Sequence, residues 1–250
     1  MATITVAWAL AIAAQATGRS ALLGHGALIE GRGALRPPPP VWVALPLFLA
    51  AWQAMVLAMM LPSSLPLVRL FRAASMKAPR ARATMAAFLG GYVMVWTPFG
   101  ALAFLMDIGI HRLVDGTPWL VSHPYVIGGA TLLLAGAFQF SALKDRCLRE
   151  CRRPEGFLLG RYTRGLRAAI RLGREHGLYC LGCCWALMLL MFAAGVANLV
   201  WMGALTLVMV TEKTLRTGDR VVGAIGVALI ILGALVLAHL PGTSALFQAP

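Results

Sequence analysis

Apolar residues run through this chain in long blocks without the two-residue alternation of half-buried strands, and prolines, glycines or arginines close each block. Blocks of this length predict helices, because about 20 helical residues cross the roughly 30 Å of bilayer hydrocarbon. Lipid offers backbone groups no partner, so bundled helices fit the pattern and a barrel does not. The expected fold class is all-α: a polytopic transmembrane helical bundle of six to seven spans with a basic interfacial helix on the cytoplasmic side.

A first apolar run, about 2–23, is broken by Gln15 and Arg19. It has no basic residue ahead of its apolar core, which makes it a poor signal peptide and a weak span. Residues 24–40 are Gly-rich and end in Pro37-Pro38-Pro39-Pro40, a stiff extended connector not expected to be helical. Spans are predicted over about 41–61, 83–106 and 125–143, with a last one over about 221–240 in which Gly223, Gly226 and Gly233 offer close helix contacts. Leu178 to Thr211 stays apolar for 34 residues. As one helix that would be about 51 Å, so a break is expected near Gly195–Asn198, with Asn198 available to cap it. The chain thus divides into 1–40, a weak N-terminal span and connector; 41–240, the bundle; and 241–250, a tail.

Composition agrees. Sixty per cent hydrophobic residues, 12% charged and a mean hydropathy of +0.78 exclude an ordinary water-soluble domain. The net charge of +13 would suggest nucleic acid in a soluble protein. Here 18 of the 22 Lys and Arg residues lie in three loops between apolar runs, and no nucleic-acid motif accompanies them. The positive-inside rule puts those loops on the cytoplasmic side, with anionic headgroups as partners and no nucleic acid. Arg161, Arg164, Arg167, Arg171 and Arg174 repeat every three or four residues, opposite Leu159, Tyr162, Leu166 and Ile170. That pattern predicts a surface helix over 158–174 lying on the leaflet.

The residues with chemistry to offer are concentrated. All five cysteines, Cys147, Cys151, Cys180, Cys183 and Cys184, fall between span four and the start of the next apolar segment. Residues three and four apart share a helix face, so His176, Cys180, Cys183, Cys184, Met188 and Met191 form one stripe, and Cys147 with Cys151 a second. If the two stripes meet at the cytoplasmic interface, thiolates, imidazole and thioethers make a soft ligand set suited to Cu(I), with Zn second. Met188 and Met191 also read as core residues. Met55, Met59 and Met60 form another thioether group, for which packing is the stronger reading. Glu212 beside Lys213 reads as an interfacial pair, and His111 and His123 as solvated loop residues. Asp107 and Asp115 read as flanking an outside loop, and Ser63-Ser64 as lacking a nearby base. With no Walker loop or zincin pair, a non-enzymatic role is expected. Cys180-x-x-Cys183 has redox spacing but lacks a thioredoxin strand-to-helix context.

At these residues the chain resembles a bacterial family of predicted metal-binding integral membrane proteins of otherwise unknown function. The resemblance is carried by Ala58-Met59-Met60-Leu61-Pro62-Ser63, by Leu143 through Arg152, and by His176-Gly177-Leu178-Tyr179-Cys180-Leu181-Gly182-Cys183-Cys184-Trp185. It continues at Asn198, Trp201-Met202 and Glu212-Lys213, and covers roughly 41–240. Where the family pattern reads Gly-Val-Met-Asn, this chain has Ala197. The resemblance implies a helical inner-membrane protein with a metal site, for which the five cysteines, and after them Met59, Met60 and His176, are the candidate ligands. Three roles follow: copper handling or delivery at the cytoplasmic membrane face; an accessory or assembly subunit of a larger membrane metalloenzyme complex, such as a copper-dependent membrane monooxygenase; and a membrane thiol–disulfide redox protein.

Overall fold

A computed structural model describes residues 2–17, 25–30, 37–194, 198–215 and 217–238. The helices are α1 (Ala2–Ala16), α2 (His25–Glu30), α3 (Val41–Ser75), α4 (Ala81–Asp115), α5 (Pro118–Ser122), α6 (Tyr125–Phe138), α7 (Ala142–Arg152), α8 (Pro154–Arg161), α9 (Leu166–Ala194), α10 (Leu199–Thr214) and α11 (Gly218–Leu237). Among the described residues there is no strand.

Four helices are long and apolar enough to cross a membrane: α3, α4, α9 and α11. The bent pair α6 and α7, at 64° to one another, makes five if counted as one span. Among the described residues the expected six to seven spans are not all found, for two reasons. The first apolar run yields only the 15 residues of α1. The last part of the 178–211 run yields the 16 residues of α10, about 24 Å long and short of a full crossing. The expected break is nevertheless present. α9 stops at Ala194, and Asn198 caps α10 by accepting from Val200 N at 3.1 Å and Trp201 N at 3.2 Å. Gly195, Val196 and Ala197 lie outside the described residues, as do Arg19, Arg32, Arg36, Arg216 and the tail 241–250. Asn198→Ala is expected to lower the melting temperature of the detergent-purified protein modestly, in line with the ~1 kcal/mol that an N-cap contributes.

Several boundaries move for identifiable reasons. The connector 24–40 is not wholly extended: residues 25–30 form α2, while Pro38–Pro40 stay non-helical. Pro62 does not end the second span, and α3 passes through Pro46, Pro62 and Pro66 as a single 35-residue helix. Proline at 62 removes the amide that would bond the Ala58 carbonyl one turn earlier. Trp8 of α1 takes its place, its Nε1 donating to Ala58 O at 3.0 Å.

The surface helix predicted over 158–174 is divided. α8 ends at Arg161, the chain turns through Arg164 and Gly165, the latter at φ 109°, and Arg167, Arg171 and Arg174 belong to the first turns of α9. Only glycine adopts that backbone without strain. Arg161 binds Glu150 at 3.2 Å and Glu175 at 3.3 Å and covers the Phe157 ring at 4.5 Å, so it ties α8 to α7 and α9.

Two helix pairs close without side chains between them. A Cβ on Gly91 of α4 would overlap the Ile170 carbonyl of α9, and one on Gly173 of α9 would overlap the Phe88 carbonyl of α4. Gly129 and Gly136 of α6 also approach the Gly233 and Gly226 carbonyls of α11, but an added Cβ there would first meet the Leu237 and Ile230 side chains, whereas Gly223 meets nothing within 4 Å. Small residues permit such backbone approach in apolar surroundings, where tight packing is the main source of helix association.

Candidate metal centre

The two cysteine stripes meet. α7 packs on α9, and Cys147 Sγ lies against Gly182, where an added Cβ would stand 2.5 Å from the sulfur. One turn further along α7, Cys151 faces the same side as Cys183 of α9 and lies near it. Cys180, Cys183 and Cys184 are in mutual reach and 0–1% exposed, while Cys151 is half-buried. All five cysteines are free thiols.

The thiols are held by local helix geometry. Cys183 and Cys184 lie three and four residues after Cys180, and both donate to its carbonyl, at 3.1 and 2.7 Å. From α3, Met60 brings its Sδ to 3.5 Å from Cys184 Sγ. Met59, Met188 and Met191 are fully buried in the same apolar core. His176, one turn before Cys180, is boxed by rings. It stacks on Tyr92 at 5.7 Å, meets Phe157 edge-on at 5.7 Å, and engages Ser64 Oγ through Nε2 at 3.1 Å.

Lysines change the picture most. Lys213 does not pair with its neighbour Glu212. Its Nζ reaches into the sulfur cluster, donating to Cys180 Sγ at 3.2 Å and to Ser63 Oγ at 3.0 Å. Tyr92 Oη stands 3.0 Å from the same Cys180 sulfur. Glu212 is taken instead by Lys144 at 2.7 Å, both side chains almost wholly buried, and its backbone carbonyl accepts from Arg152 Nε at 2.7 Å. Since Lys213 lies 33 positions after Cys180, the contact also shows that α10 returns the chain to the level at which α9 carries the thiols.

Other expectations need correction. Ser63 and Ser64 do have basic neighbours, Lys213 and His176, but Ser63 already donates its hydrogen to Met60 O at 2.8 Å. His111 is not a loop residue: it lies in α4, with Nε2 at 3.3 Å from Glu30 and Nδ1 at 3.6 Å from Asp107. Asp107 and Asp115 likewise belong to α4. His123 stacks on Trp119 with ring centroids 4.7 Å apart. Gln53 donates to Thr97 Oγ1 on the neighbouring helix at 2.8 Å.

Sequence reasoning missed Lys213, Lys144, Tyr92 and the serine pair as parts of this centre. The available signal was a charged pair closing an apolar run, where a buried ammonium needs partners.

Among the described residues, no group of three or more His, Cys, Asp or Glu side chains is gathered in a geometry that could hold a metal ion. Zinc, the second choice, is therefore without the closed tetrahedral set it requires. What the structure does assemble is a cluster of adjacent sulfurs, and soft thiolate and thioether donors favour Cu(I). A family model described as "PpoB2: Copper chaperone" matches residues 49–236, a stretch that contains every sulfur of the cluster. No curated protein and no solved structure matches the chain.

Proposed function

Because this chain belongs to the PpoB2 copper chaperone family, we propose that it is a membrane-embedded carrier that holds Cu(I) among the thiols of α7 and α9 and passes it on by sulfur exchange. The supporting observation is the packing of α7 on α9, with Cys147 against Gly182, beside Cys180, Cys183 and Cys184 and with the Met60 thioether 3.5 Å from Cys184. A monovalent soft ion is held by a pair of these sulfurs, and neighbouring sulfurs let it step from pair to pair without change of oxidation state. Half-buried Cys151 is the entry ligand; fully enclosed Cys184 and Met60 are the inner ones.

Membrane insertion is supported by the four to five candidate spans and by large apolar side chains on the outside of the bundle, such as Met94, Leu102, Met106, Leu178 and Ile231. Arg69, Arg72, Arg82, Arg171 and Arg174 lie toward the end of the bundle nearer the thiols, which the positive-inside rule assigns to the cytoplasm. The bilayer's anionic headgroups are the partners there.

Detergent-purified protein is expected to carry copper measurable by elemental analysis, and Cys183→Ser with Cys184→Ser to lose it. Copper retained by a chain lacking all five thiols would refute this reading. A Cys180–Cys183 disulfide as the resting state in cells would replace it with a redox function.

A further inference from the structure

Lys213 is a cation enclosed at the sulfur cluster with no carboxylate to answer it. Glu212, its neighbour in sequence, is committed to Lys144 at 2.7 Å. Among the described residues, no Asp or Glu forms an ion pair with Lys213, whose ammonium donates to Cys180 Sγ and Ser63 Oγ at 3.2 and 3.0 Å. An unbalanced charge in an apolar interior is costly, so its retention beside four thiols calls for a reason.

We propose that Lys213 is the specificity-determining residue of the metal centre, a fixed counter-charge that fits it to a monovalent ion and against dications. The inference rests on the copper-carrier reading above.

The charge balance is simple. Two thiols give up their protons to solvent as Cu(I) binds, leaving a bis-thiolate complex with one net negative charge. One ammonium alongside cancels it, and the buried centre is neutral. A dication between the same pair of thiolates is already neutral, so the ammonium leaves the centre with an uncompensated positive charge. Repulsion between the metal and the lysine also grows in proportion to the ion's charge. Lys213 thus favours Cu(I) twice over, by cancelling its complex and by opposing competitors. The residue is rigidly placed, because it comes from α10 while the thiols come from α7 and α9, and Ser63 of α3 fixes its other side.

The test compares Cu(I) and Cd(II) affinities of the detergent-purified full chain. Cu(I) is measured by competition with a chromophoric chelator and Cd(II) by its sulfur charge-transfer absorption. Lys213→Leu is expected to shift the affinity ratio toward Cd(II) by about tenfold or more, the effect of removing a like-charge neighbour. Lys213→Arg, which keeps the charge, is expected to hold the wild-type ratio. Should the leucine variant fail to fold, Lys213→Gln keeps a polar side chain there without the charge and is expected to shift the ratio likewise. A ratio indifferent to both neutral substitutions, in a protein that still binds Cu(I), overturns the inference alone. A wild-type chain that binds no Cu(I) overturns the carrier reading and this inference with it.

Discussion

Replacing Lys144 by methionine is expected to cost about 3–5 kcal/mol of stability, the range for removing one partner of a buried ion pair. Lys144 is fully enclosed and Glu212 is 2% exposed, with 2.7 Å between nitrogen and oxygen. Methionine preserves the stem and removes the charge, so Glu212 is left as a buried carboxylate with nothing to balance it. The double variant Lys144→Met, Glu212→Leu is expected to recover most of the loss, because a packed apolar pair of similar volume often matches a buried ion pair. Thermal unfolding in detergent measures both. An unchanged melting temperature for the single variant would show that water already screens the pair.

The second large effect is expected at Gly173. A Cβ there would run into the Phe88 carbonyl, and backbone cannot swing aside as the tip of a flexible side chain can. Gly173→Ala must therefore push α4 and α9 apart, at about 1–3 kcal/mol or more for a forced overpacking. Tyr92 rides on α4, so the same displacement draws its hydroxyl away from Cys180. Lower melting temperature and weakened copper retention are expected together. Gly90→Ala is the control, since its added methyl meets nothing within 4 Å. If the two variants melt alike, the close approach of α4 and α9 does not contribute as described.

The helical class and the make-up of each thiol stripe were legible because both rest on periodicity. Apolar runs of membrane-crossing length specify helices, and spacings of three and four put Cys180, Cys183 and Cys184 on adjoining positions. Asn198 as a cap was legible for a similar reason, its side chain acting within its own turn. What was not legible depends on distant partners. Pro62 looked like a helix end because nothing local reveals that Trp8 takes up the orphaned carbonyl. Glu212 and Lys213 looked like a pair because they are adjacent, yet successive helical residues point about 100° apart, and each finds its partner on another helix. The arginine repeat at 161–174 marked a charged face correctly but could not show that Gly165 divides it between two helices.

The bond from Trp8 to Ala58 has a consequence for how this chain is assembled from parts. The segment shared with the family begins at residue 49, so α1 stands outside it, while the carbonyl it caps lies two residues before Met60. The N-terminal helix works as a splint across the proline gap in one of the two longest helices, two residues from the methionine that meets Cys184. A contact of this kind lets a helix that touches none of the sulfurs steady the segment that presents one of them.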